Sequence, residues 1–357
     1  MFRELFVAIA LICFSFSTFA QATLEKSAYK EFPNSLNGRD FFILSASKKT
    51  IQTLGADVHD CRANIAEVMC LVGAPEVGMA PQDRPCIEGG KDYAVYFEQI
   101  YDKYPPKLQN IFCSVKRIFI ENKFYGTAYA GAFKNAAGQT VGAMMGIRKS
   151  VLDQKLNLST WASWKEQLSF GGITDSYSIS PNLPQIITTT SAEVSDFLYF
   201  VVTHEVGHLL DFANGLNRLS DCKSIDGSDD LSDCEVVEGT WGSISWHRTF
   251  TPRAVNDFIN RTGLCFYQCG DKPMAEQDIN KTYADLSQTE FISAYASQHV
   301  WDDFADSLAY YMMEKNLNTS YVIDTKHGAR YDIMWRLKSP QFAKKYQFIQ
   351  KFLGDSK

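Results

Sequence analysis

His204, Glu205 and His208 stand in the run His204-Glu205-Val206-Gly207-His208, whose residue types and spacing can do chemistry. On a helix, residues i and i+4 share a face, so both imidazoles can reach a single metal ion. Glu205 stands beside them, where it can take a proton from water that the metal acidifies. This H-E-x-x-H spacing is the arrangement of metal-assisted amide hydrolysis. The chain has six histidines, and two of them fall at this spacing. The blander alternative is a pair of core histidines on an amphipathic helix.

A catalytic zinc takes three protein ligands and keeps one position open. The third ligand is expected from a later helix, and Trp301-Asp302-Asp303-Phe304-Ala305-Asp306-Ser307 is the strongest candidate. Asp302 and Asp306 are again i and i+4, so one can bind the metal while the other hydrogen-bonds a ligand histidine. Asp303 and Glu290 stay open as alternatives. Tyr295, followed seven positions later by Asp302-Asp303-Phe304-Ala305-Asp306, resembles the second signature of the lethal-factor-type zincins. That group includes the catalytic domain of anthrax lethal factor and the Pro-Pro endopeptidases.

The resemblance implies that Asp302 is the third ligand, that Tyr295 stabilises the oxyanion, and that Asp306 is the carboxylate behind a ligand histidine. It implies an α+β, zincin-like domain, mainly helical with a small mixed sheet, acting as a zinc-dependent metalloendopeptidase on peptide or protein substrates. It also implies an extended substrate along a sheet edge, for which Thr140 to Arg148 is the candidate strand. Both signature glutamates are aspartates here, and the gap from His208 to Asp302 is long for the group. These departures leave a second function open, a catalytically degenerate zincin acting as a secreted binding or scaffold protein.

The elements that must position these residues are partly legible. A helix is expected from about Ser191 to Ala213, capped by Ser191 and stopped by Asn214-Gly215. A second is expected from about Val300 to Lys315. Helices are also expected over residues 45 to 72, where Ile51, Leu54, Val58, Cys61, Ile65 and Val68 recur at helical intervals, and after Lys91, after Pro105-Pro106, and around Trp161 with Ser159 or Thr160 as cap. Val115 to Ile120, Gly126 to Phe133, Thr140 to Arg148 and Pro184 to Thr190 favour strands. Residues 216 to 290 read as a polar, irregular insertion stapled by disulfides. Trp241 and Trp246 read as core, Asp211 as a solvated helix end, and His247 and His299 as spare histidines.

Residues 1 to 20 read as a signal peptide: Arg3, then the apolar run Phe6 to Phe14, then Ala20 and Ala22 framing A-Q-A. Its removal takes Cys13 and leaves eight of the nine cysteines. An even set in an exported chain reads as a disulfide framework, here paired locally: Cys222 with Cys234, Cys265 with Cys269, and Cys61, Cys70, Cys86 and Cys113 among themselves. Residues 21 to 90 then form a disulfide-bearing N-terminal segment, and residues 91 to 357 the catalytic domain. With 35 lysines and arginines against 41 acidic residues and no basic block, the chain gives no support to nucleic-acid binding, and none to stable membrane association once the signal is removed. The sequence is silent on oligomeric state.

Overall fold

The computed structural model describes residues 44–45, 61–72, 86–122, 126–134, 140–172, 177–189, 194–224, 232–266 and 273–355. The expected signal peptide, the Ser191 cap and Cys269 lie outside them. The fold is a mixture of helices and β-sheet. The main sheet has six strands: β1 (Leu44–Ser45), β2 (Met69–Val72), β3 (Cys86–Ile87), β4 (Val115–Glu121), β5 (Ala128–Lys134) and β6 (Thr140–Arg148). Their order is β1-β5-β6-β4-β2-β3, and the sheet is mixed: β2, β4 and β6 run parallel, while β5 pairs antiparallel with β6.

Alternation along these strands covers both faces. Ile118, Ile120, Ala130, Ala143 and Met145 enter the main core, whereas Cys70, Phe119, Tyr129 and Met144 form a smaller cluster on the other side. The histidine helix, Val194–Asn214, packs on the main-core face, chiefly against β5 and less against β6. Thr140 to Arg148 is therefore not an edge: β6 lies between β4 and β5. The outer side of β5 is met by β1 at Phe133 and Lys134.

Residues 45 to 72 are not one helix. Ile65–Val68 is a single helical turn, and Met69–Val72 is a strand parallel to β4; residues 46 to 60 lie outside the described chain. Met69, Cys70, Leu71 and Val72 form an unbroken apolar run, which fits a helix face or a buried strand equally well. Pairing with β4 decides it, placing Met69 and Leu71 in one cluster and Cys70 and Val72 in the other. The helix Leu158–Gln167 starts one residue before Ser159 and is capped by Asn157, whose Oδ1 accepts from Thr160 N at 2.8 Å. Asparagine is as favourable an N-cap as serine and more favourable than threonine.

The carboxylate helix, Val300–Leu317, crosses the histidine helix closely. At the crossing Gly207 faces Ala305, and a Cβ on Gly207 would stand 2.8 Å from the Ala305 Cα. Gly215, at φ 61°, ends the histidine helix as its sequence suggests.

The stretch from 216 to 290 is less irregular than its composition implies. Preceded in the chain by β7 (Gln185–Thr188), it holds the hairpin of β8 (Leu219–Ser224) and β9 (Ser232–Val236) and a helix at Ile279–Leu286. Trp241 and Trp246 are fully buried there. Disulfides join Cys61 to Cys113, Cys70 to Cys86 and Cys222 to Cys234, as local pairing predicted. Cys265 is also disulfide-bonded. Among the described residues no helix is long and apolar enough to cross a membrane.

Candidate metal centre

The two helices bring three ligand atoms to one point. His204 Nε2 and His208 Nε2 lie 3.1 Å apart, and Asp302 Oδ1 lies 3.5 Å from each. All three residues are buried, and no hydrogen bond reaches Asp302 Oδ1. A buried carboxylate oxygen left without a donor is costly unless a cation meets it. Tetrahedral zinc with bonds of about 2.0–2.2 Å needs ligand atoms roughly 3.3 Å apart. The separations of 3.1, 3.5 and 3.5 Å fit that requirement. Among the described residues this His-His-Asp trio is the group of metal-ligating side chains gathered within 4.8 Å.

Each candidate ligand is held from behind. His204 Nδ1 meets Asp306 Oδ1 at 2.8 Å, and Ser293 Oγ donates to the other oxygen of Asp306. That contact leaves Nε2 of His204 to face the cation. The His208 ring stacks on Phe212, with centroids 6.3 Å apart. His299 Nε2 lies 2.7 Å from Asp302 Oδ2, while its Nδ1 accepts from Asp302 N at the start of the helix. His299, read from sequence as a spare histidine, thus caps the carboxylate helix and orients its first aspartate.

Burial disfavours the ionised Asp302 carboxyl, but the His299 charge and the three surrounding imidazoles outweigh it and hold its pKa well below the usual carboxylate range. Burial likewise disfavours protonated His204. The carboxylates of Asp302, Asp306 and Glu205 override that and raise its pKa to about 9. A metal must therefore displace a firmly held proton, and its affinity weakens in acid.

The other acidic candidates point elsewhere. Asp303 is bound by Lys345 Nζ at 2.6 Å to both oxygens and by Trp246 Nε1 at 2.9 Å. Glu290 accepts from Ser245 Oγ at 3.0 Å and from Asn256 Nδ2 at 2.8 Å. Asp211 is not solvated: it is buried and accepts from the backbone N and Nδ2 of Asn217, tying down the chain after the histidine helix. Burial, against those bonds, raises its pKa to about 6.

Glu205 is buried on the same helical turn as the imidazoles. Tyr295 opens a short 3-10 turn, Tyr295–Ser297, just before the carboxylate helix. Its ring centroid is 5.8 Å from that of His204, and Phe266 packs edge-on against it at 5.1 Å. Nothing in the local sequence marks His299 or Ser293 as part of the centre. The available signal was positional, a histidine three residues before the candidate ligand at a helix start.

No curated protein and no solved structure matches the chain. Residues 270–353 match the model of a family described as “putative zinc-binding metallo-peptidase”. The matched stretch carries Tyr295, His299, Asp302 and Asp306; His204, Glu205 and His208 precede it. Over that stretch the chain is similar to a zinc-binding metallopeptidase family, which is consistent with a metal held between its two helices.

Proposed function

We propose that the chain is an exported, zinc-dependent metalloendopeptidase in which His204, His208 and Asp302 hold the metal. The observation that carries this reading is the convergence of two imidazole Nε2 atoms and an otherwise unmet carboxylate oxygen at 3.1–3.5 Å. Bound zinc supplies a Lewis acid that polarises an amide carbonyl and acidifies water. Glu205 takes the proton of the attacking water and passes it to the departing amine. Tyr295 donates to the carbonyl oxygen as negative charge gathers there, a contribution of about 3 kcal/mol for comparable donors. Asp306 and His299 keep the ligand atoms aimed.

Asp302, one methylene shorter than glutamate, still comes within 3.5 Å of both imidazoles, which favours the active reading over a degenerate scaffold. The apolar start of the chain and the disulfides support export. We place the catalytic domain at 91–357 and residues 21–90 ahead of it in the chain as a disulfide-bearing segment, whose strand Met69–Val72 and bridge Cys61–Cys113 tie it into that domain's sheet.

Glu205→Gln tests the mechanism. The variant should keep its zinc and melt as the parent does, and lose about 10²–10⁴-fold in peptide turnover. Unimpaired turnover by that variant rejects Glu205 as the base. A parent protein that binds zinc and cleaves nothing in a broad peptide library supports the scaffold instead.

A further inference from the structure

Lys165 is a charged residue that this mechanism leaves unused. It sits near the end of the helix Leu158–Gln167 and keeps 8% of its surface exposed. Its ammonium lies 3.3 Å from the centroid of the Tyr295 ring, with the rings of Trp161 and Phe266 at 5.4 and 5.9 Å. Among the described residues its side chain makes no hydrogen bond and no ion pair.

Three aromatic faces offset part of the cost of burying this charge. They supply no acceptor for the ammonium's N–H donors, which meet no protein oxygen among the described residues. A methionine or leucine would fill the same space without that cost. Burial lowers its pKa, and the charges of Asp306 and Asp302 at the metal centre, with those of Glu166 and Glu205, oppose the fall. The ammonium therefore stands beside the ring whose hydroxyl is assigned to the developing oxyanion, close enough to the centre to feel its carboxylates.

We propose that Lys165 is a further catalytic residue, donating a hydrogen bond to the oxyanion formed from the scissile carbonyl and sharing that oxygen with Tyr295. The inference rests on the metallopeptidase reading. When water attacks, its oxygen bonds to the carbonyl carbon, the π pair moves onto the carbonyl oxygen, and the water proton goes to Glu205. On collapse the pair returns to re-form C=O, the C–N bond breaks, and the proton passes from Glu205 to the amine. Lys165 keeps its proton throughout and donates to the oxygen as it becomes charged.

The test uses the full zinc-loaded chain with K165M and K165R. K165M should lose about 10²–10³-fold in kcat, the loss seen when one oxyanion donor is removed, with KM changed by less than about threefold. Its zinc content and melting temperature should match the parent, and K165R should recover part of the rate. Affinity for a phosphinic peptide, whose tetrahedral anionic oxygens mimic the oxyanion, should fall by the same factor as kcat/KM. A thiol peptide lacking those oxygens should bind as before. If K165M lowers the melting temperature, K165Q is judged by the same criteria. Full kcat in these variants, a loss confined to KM, or intact phosphinate affinity overturns the proposal while leaving the peptidase reading standing. A parent protein that cleaves no peptide overturns both.

Discussion

At the scale of single residues, the candidate centre turns on how two aspartates one helical turn apart divide their work. Asp302 offers an unmet oxygen to both Nε2 atoms, and Asp306 takes His204 Nδ1 at 2.8 Å. That contact fixes which ring nitrogen carries the proton once a metal sits on the other. Asp306→Ala should weaken zinc binding by about 10–100-fold, the usual cost of removing a carboxylate behind a ligand histidine. Competition with a chromogenic chelator measures it; affinity within threefold of the parent would show that packing alone suffices to hold the ring. The residues on one helical face were legible, because i and i+4 spacing implies convergence before any fold is known. His299 and Ser293 were not. Ser293 reaches Asp306 from thirteen residues away, and His299 acts on Asp302 from the N-cap of its helix, a place for which histidine is not among the favoured residues.

At the scale of elements, the decisive contact is the crossing of the histidine and carboxylate helices. Gly207 sits inside the motif because a side chain there would meet the backbone of Ala305: its Cβ would lie 2.8 Å from Ala305 Cα and 3.2 Å from Ala305 Cβ. Close approach brings Asp302 Oδ1 to 3.5 Å from both imidazoles. Gly207→Ala removes a flexible residue from a helix, a gain of up to about 1 kcal/mol by propensity alone. The overlap should outweigh it, for a net loss of about 1–3 kcal/mol. It should also move Asp302 away from the imidazoles and weaken zinc binding. Denaturant unfolding with and without zinc checks both parts, and a variant as stable as the parent with full zinc affinity would show that the helices tolerate separation. Both helices were foreseeable from their apolar patterns and stop signals. The strand Met69–Val72 was not, since four consecutive apolar residues have no period. Nor was the interior place of β6, which depends on a parallel partner supplied from elsewhere in the chain.

At the scale of the whole molecule, the centre is one part of a buried polar system that joins distant segments. Glu166, next to Lys165, accepts a hydrogen bond from Tyr283 in the helix Ile279–Leu286. Its charge also reaches Tyr310 in the carboxylate helix, Tyr321 in β10 (Tyr321–Asp324) and Tyr331 in β11 (Arg330–Asp332). Burial dominates at Glu166 and raises its pKa from 4.5 to about 7, against the Tyr283 hydrogen bond and the Lys165 charge. The folded state thus keeps a proton that the unfolded chain releases near pH 4.5. The stabilisation is fully present below about pH 4.5 and disappears as pH rises through about 7. A shift of that size corresponds to about 3 kcal/mol. Glu166→Gln removes the titration while keeping an acceptor for Tyr283. With metal removed from both proteins, the stability of the parent minus that of Glu166→Gln should fall by about 3 kcal/mol between pH 4.5 and 8, as read from urea unfolding. A difference that stays flat over this range would mean that Glu166 is ionised in the fold and that the tyrosine cluster is organised around a charge.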